Sequence, residues 1–167
     1  MRCGIALGSN LGDRLAHLRA AQVAVGLLHQ SPNAAPPLVS PVYETEPVDC
    51  APGTAPYLNA VMEIEYAGEP ETLLAALQQI EREMGRPADH GHNTPRTLDL
   101  DLLYAGDIVL QSDTLTLPHP RLAARRFVLQ PLADIRPDLV LPGFAKTVSE
   151  LLACLPPHPL VKPLVTP

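Results

Sequence analysis

Asp99 and Asp101 stand two residues apart in an alternating segment, Thr97 to Tyr104, where Leu98, Leu100 and Leu102 take the intervening positions. On a β-strand that spacing puts both carboxylates on one face, about 6.6 Å apart at roughly 3.3 Å per residue. Two ionised acids at that distance repel by about 2.5 kcal/mol at an effective dielectric near 20, and by about 0.6 kcal/mol in bulk water. A fully solvated strand face would tolerate them. A partly buried one calls for a cation or an arginine. Hard oxygen donors with no cysteine beside them favour Mg²⁺ over zinc. Arg86, Arg96, Arg125 and Arg126 surround the pair in sequence. Guanidinium forks match phosphate oxygens, and two carboxylates hold Mg²⁺, so the grouping suits phosphoryl transfer from a nucleotide.

Composition narrows how such chemistry is done. Of the 12 basic residues, ten are Arg and only Lys146 and Lys162 are Lys, both late in the chain. A phosphate-loop lysine or a Schiff-base lysine therefore has no early candidate, and anion binding falls to arginine. The formal net charge of −6 argues against a general nucleic-acid or anionic-membrane binder. No apolar run approaches the roughly 20 residues of a membrane span, and the N-terminal residues carry no basic-then-apolar pattern. Cys3, Cys50 and Cys154 are odd in number and widely spaced, which reads as reduced thiols in a cytoplasmic protein. Only six residues are aromatic, four Tyr and two Phe.

A chain of 167 residues suits one domain with a sizeable core. Residues Cys3 to Leu7 predict a first strand ending at Gly8-Ser9-Asn10, with Asn10 as helix cap. Leu15, Leu18, Ala21, Val25 and Leu28 predict a helix over roughly 11–29. A second strand is expected between Val39 and Val48, restricted to an edge or bulge by Pro41. Tyr57 to Tyr66 alternates as a half-buried strand. Pro70 opens a second helix with Leu73, Leu77, Ile80 and Met84 on one face, closed by Gly85. Thr97 to Tyr104 is the last clear strand, followed by short helices near 121–134 and 146–154. The order is that of an α+β, ferredoxin-like βαββαβ core with an antiparallel sheet, both helices on one face, and extra C-terminal helices. Prolines, 20 of 167 against a usual share of roughly 5%, sit in loops and in a tail over 156–167 expected to be extended or disordered.

The segment Pro95-Arg96-Thr97-Leu98-Asp99-Leu100-Asp101-Leu102 resembles the signature of the 6-hydroxymethyl-7,8-dihydropterin pyrophosphokinase family. The resemblance extends over about residues 4–153. It includes Ala6-Leu7-Gly8-Ser9-Asn10-Leu11-Gly12, Tyr43-Glu44-Thr45-Glu46-Pro47, Tyr57-Leu58-Asn59-Ala60, Glu81 with Gly85-Arg86, and Pro118-His119-Pro120 before Arg125-Arg126-Phe127. It implies an enzyme that moves pyrophosphate from ATP to the pterin alcohol in folate biosynthesis, with a pyrophosphokinase domain over 1–155. Asp99 and Asp101 would ligate two Mg²⁺ ions on the ATP phosphates, with Asp99 placed to assist the hydroxyl. Arg86 and Arg96 would contact the phosphates. Gln78, Glu81, Leu102, Thr116, His119 and Arg125 would line the nucleotide pocket, and Thr45, Val48, Tyr57, Asn59 and Phe127 would hold the pterin. Tyr57 and Phe127 offer flat faces to a heterocycle, and Asn59 both donors and an acceptor to its aminopyrimidinone edge.

The chain departs from the family at Ala88 and Asn93, where a second Arg and a Trp commonly close over the substrates; weaker closure would alter rate or affinity. Asp89, His90 and His92 occupy the same loop. Two other functions fit parts of the pattern: a ligand-binding module without turnover, and a Mg²⁺-dependent nucleotide hydrolase in which water replaces the pterin.

Overall fold

The computed structural model describes residues 1–47, 51–85 and 97–165. A central antiparallel sheet carries β1 (Arg2–Ser9), β2 (Leu38–Val39), β3 (Tyr43–Thr45), β4 (Tyr57–Glu65), β5 (Asp99–Ala105) and β8 (Val161–Pro163). The strands lie in the order β5-β1-β4-β3-β8, with β2 also on β4. A two-stranded hairpin, β6 (Leu110–Gln111) with β7 (Thr116–Leu117), stands outside that sheet. The helices are α1 (Arg14–Gly26), α2 (Pro70–Glu83), α3 (Arg126–Ile135) and α4 (Val148–Cys154). The β1α1β3β4α2β5 core is ferredoxin-like, as expected.

Two apolar layers sandwich the sheet. On one face Leu18, Ala21 and Val25 of α1 and Leu73, Leu77 and Ile80 of α2 pack on Cys3, Ile5, Leu7, Met62 and Leu100. On the other, Val128, Leu129 and Leu132 of α3 and Val148 of α4 pack on Val61 and Leu103. This second layer corrects the half-buried reading of β4. Asn59, Val61 and Glu63 are as buried as Leu58 and Met62, because α3 and α4 cover the face that alternation assigned to water.

Glu63 is held there by the Arg2 guanidinium at 2.9 Å, Arg136 at 3.1 Å and the Tyr104 hydroxyl at 2.6 Å. Burial, with the Glu63 charge beside it, pushes the Tyr104 hydroxyl well above its ordinary value. The Tyr104 ring lies over Gly4, where a Cβ would come within 2.2 Å of it. A register shift between Gly4 and Ile5 in the β1–β5 ladder brings the ring onto that face.

Several boundaries differ from expectation. Asp13, not Asn10, caps α1, its Oδ1 accepting from the Ala16 amide at 3.1 Å; Asn10 is buried. The single strand expected over 39–48 is split around Ser40 and Pro41. There the Ser40 amide donates to the Val61 carbonyl and its Oγ accepts from the Val61 amide, both at 2.9 Å. Within the tail, Val161–Pro163 forms an edge strand pairing Val161 with Thr45, and the Leu164 amide continues it to Val42. Proline tolerates an outer strand because its missing N–H faces away from the ladder. No helix among the described residues is long and apolar enough to cross a membrane.

Candidate functional site

Strand register assembles the two halves of the site. Gly8 of β1 is opposite Asn59 of β4 on one side and Asp99 of β5 on the other. Residues directly opposed in an antiparallel ladder point to the same face, so Asn59 and Asp99 share the face covered by α3, two strand spacings or about 10 Å apart. The residue between them has no side chain. A Cβ at Gly8 would lie 3.3 Å from Asn59 Oδ1, tighter than ordinary contact, so any side chain there would crowd the Asn59 amide. Asp101 follows on the same face, opposite Ala6.

At the β4 end, Asn59 Nδ2 donates to Thr45 Oγ1 at 3.0 Å, both side chains buried, which orients the amide. Thr45 is paired with Tyr57 across the β3–β4 ladder. Tyr43 fastens β3 to α3 by a 2.5 Å bond from its hydroxyl to Asp134 Oδ2; burial first, then Asp134, pushes that hydroxyl up to about 12. Phe127, in the first turn of α3, packs on the second apolar layer and carries the Arg125 guanidinium 5.5 Å from its ring centroid.

At the β5 end, Arg125 Nη1 reaches Asp101 Oδ2 at 3.5 Å. Burial, then the Arg121 charge, lowers the Arg125 guanidinium from its ordinary value. His119 is tied to the strand by its amide on the Leu103 carbonyl at 2.7 Å. Its Nδ1 accepts the Arg121 amide at 3.1 Å, so the ring proton sits on Nε2. Burial, Arg125 and Arg121 push the imidazole down to about 4. His119 is therefore a neutral N–H donor near pH 7.

Beyond β5 a cavity of about 260 Å³ opens between α2 and the β6–β7 hairpin. Leu74, Leu100, Leu102 and Leu115 form its apolar part; Asp101, Ser112, Asp113, Thr114, Thr116 and His119 supply polar groups. Leu102, Thr116 and His119, which the resemblance assigns to a nucleotide pocket, line this cavity. Leu74 and the 112–115 turn were missed, since Ile108 to Leu117 has no clean strand period. Gln78 is exposed on α2, one turn on from Leu74. Glu81 is buried, and its Oε1 accepts the Leu100 amide at 2.6 Å. It thus anchors the peptide unit between the two aspartates. Arg86, Arg96 and Val48, and the loop positions Ala88, Asp89, His90, His92 and Asn93, lie outside the described residues.

The aspartate pair fits magnesium by its chemistry. Both donors are hard carboxylates on one strand face, and the Asp101 side chain is 37% exposed. No group of three or more His, Cys, Asp or Glu that could hold a metal occurs among the described residues. Magnesium takes one or two carboxylates together with water and substrate phosphates.

Comparison with known proteins identifies the family and the fold. Residues 4–137 match the family described as 7,8-dihydro-6-hydroxymethylpterin-pyrophosphokinase. The chain is 45% identical over 131 residues to the 2-amino-4-hydroxy-6-hydroxymethyldihydropteridine pyrophosphokinase of Bacillus subtilis, covering 78% of this chain and 75% of that protein. The protein of the same description from Pseudomonas aeruginosa is 42% identical over 156 residues, 93% and 92% of the two chains. The folic acid synthesis protein fol1 of Schizosaccharomyces pombe is 40% identical over 152 residues, and there the match spans 91% of this chain but only 20% of the relative. Among solved structures, the wild-type HPPK-DHPS of Plasmodium falciparum with pteroate superposes with a TM-score of 0.65 at 13% identity, over 91% of this chain and 42% of that one, a likeness of fold. By sequence match across most of its length, the chain belongs to the 7,8-dihydro-6-hydroxymethylpterin-pyrophosphokinase family.

Proposed function

We propose that Asn59 and Asp99, at either side of Gly8, mark the two ends of one reaction centre. The reaction is transfer of a pyrophosphoryl group from ATP to 6-hydroxymethyl-7,8-dihydropterin, giving AMP and the pterin diphosphate in folate biosynthesis. The pterin's aminopyrimidinone edge meets Asn59 and Thr45, its rings lie against Tyr57 and Phe127, and its hydroxymethyl arm points across Gly8 toward Asp99. Val48 joins it from outside the described residues. A two-ring heterocycle with a one-carbon arm suits the span between Asn59 and Asp99. That shared row is the observation that carries the reading.

ATP occupies the cavity beyond β5, its base among Leu74, Leu100, Leu102 and Thr116, its phosphates directed to Asp101, His119 and Arg125. Gln78 and Glu81 border it from α2. Asp99 and Asp101 hold magnesium, two ions in this reading, whose charge when bound offsets that on the phosphate oxygens. Arg125 and the Nε2–H of His119 donate to the same oxygens, joined by Arg86 and Arg96. Asn59 and Thr45 fix the pterin so that its hydroxyl meets the β-phosphorus in line, with AMP leaving. Asp99 is the carboxylate next to the incoming hydroxyl. Residues 1–155 carry the catalytic groups, Val161–Pro163 completes the edge of the same sheet, and the enzyme works in the cytoplasm.

The test is AMP release from ATP and the pterin, with and without EDTA. Release that needs both Mg²⁺ and pterin is expected. ATP consumption that ignores added pterin would mean a hydrolase, and tight ligand binding without AMP would mean a binding module.

A further inference from the structure

Arg14, at the first position of α1, reaches under the β3–β4 ladder and bonds both of its facing ends. Its Nη1 donates to Glu44 Oε2 at 3.1 Å and to the Pro56 carbonyl at 2.7 Å. The two hydrogens of one nitrogen thus serve two acceptors from segments 12 residues apart in sequence. Each acceptor adjoins a residue assigned above to the pterin. Glu44 precedes Thr45, and the Pro56 carbonyl belongs to the peptide that leads into Tyr57. Thr45 and Tyr57 are themselves register partners. Glu44 alternates to the face opposite Thr45, so the clamp lies behind the proposed pterin surface and does not obstruct it.

We infer that Arg14 is a positioning residue for the pterin: it fixes the separation and orientation of Thr45 and Tyr57 without touching the substrate. This rests on the pterin assignment given above. The Arg14 and Glu44 side chains are 28% and 41% exposed, and a pair so open to solvent adds little to global stability. Its leverage is local. Small displacements of groups that orient a substrate weaken productive binding far more than they weaken the fold. Lys162 of β8 stands opposite Glu44 on its other side but belongs to a different strand pair, and it does not bridge to Pro56 in the way the Arg14 fork does.

Steady-state AMP formation by wild type, Arg14→Ala, Arg14→Lys and Glu44→Ala tests this. Arg14→Ala raises the pterin KM about fivefold to tenfold, with kcat and the ATP KM within about twofold and the melting temperature nearly unchanged. Glu44→Ala, which keeps the Pro56 bond, raises the pterin KM about twofold to threefold. Arg14→Lys falls between wild type and Arg14→Ala. A pterin KM for Arg14→Ala within twofold of wild type overturns the inference. So does a parallel rise in both KM values with a lowered melting temperature, which is the mark of a merely structural residue. If Arg14→Ala does not fold, Arg14→Lys and Glu44→Ala decide, and wild-type pterin KM in both overturns it. Asn59→Ala separates this from the pterin assignment. If Asn59→Ala raises the pterin KM while the clamp variants do not, only the clamp fails; if Asn59→Ala is silent, the assignment beneath it fails.

Discussion

Asn59 of β4 and Asp99 of β5 sit in a single cross-strand row with only the bare Cα of Gly8 between them. A buried amide oriented by Thr45 and a carboxylate suited to a hard cation are thereby set on one face at a separation fixed by strand spacing alone. No loop has to move to bring those two groups together.

Gly8 is the simplest position at which to test that row. Its backbone needs no left-handed conformation, so alanine is tolerated by the strand and restricts the unfolded chain slightly. Its methyl group would stand 3.3 Å from Asn59 Oδ1 and occupy the space between Asn59 and Asp99. Gly8→Ala should leave the urea unfolding free energy within about 1 kcal/mol of wild type while kcat/KM for the pterin falls about tenfold or more. Equal loss of stability and activity would mean that the glycine serves packing alone.

Glu81 makes a second test. Its carboxylate accepts the Leu100 amide at 2.6 Å, and Leu100 is the residue between the two aspartates. Glu81→Ala leaves a buried amide without that acceptor and should cost about 1–3 kcal/mol in denaturant unfolding. The Mg²⁺ concentration giving half-maximal AMP release should rise severalfold as the Asp99–Asp101 backbone loosens. Unchanged Mg²⁺ dependence at normal stability would show that the strand holds its aspartates without this anchor.

His119 gives a pH test with a defined sign. Burial, Arg125 and Arg121 depress its folded-state value to about 4, below the roughly 6.5 of an unfolded histidine. Between those values the unfolded state binds more protons, so stability is lost as pH falls from about 6.5 toward 4. His119→Asn can keep an acceptor for the Arg121 amide but does not titrate there. Urea unfolding at pH 7 and pH 5, without nucleotide or metal, should show wild type losing about 1 kcal/mol more than the variant, a figure reduced from the full linkage value because the ring is partly open to solvent. An equal loss in both would place the ring in freer solvent.

Alternation made the Asp99–Asp101 face and the apolar stripe of α2 legible, because period alone decides which side chains share a face. It failed at β4, where α3 and α4, far along the chain, bury the side that looked polar; Glu63 is satisfied there by Arg2, Arg136 and Tyr104 from three distant segments. The β6–β7 hairpin is too short to show a period, and β8 is hidden by prolines that an edge strand accepts. Resemblance assigns Glu81 to the nucleotide, but its bond to Leu100 depends on a packing of α2 against β5 that spacing does not encode.

The most direct test of the account is metal-dependent turnover in Asp99→Ala and Asp101→Ala. Single-turnover AMP formation would be followed across a Mg²⁺ titration, beside pterin binding by the same variants. The account predicts that both variants lose at least about a thousandfold in rate while pterin affinity stays within a few-fold of wild type. Near-normal rates at wild-type Mg²⁺ dependence would contradict it and remove the aspartate pair from the reaction centre.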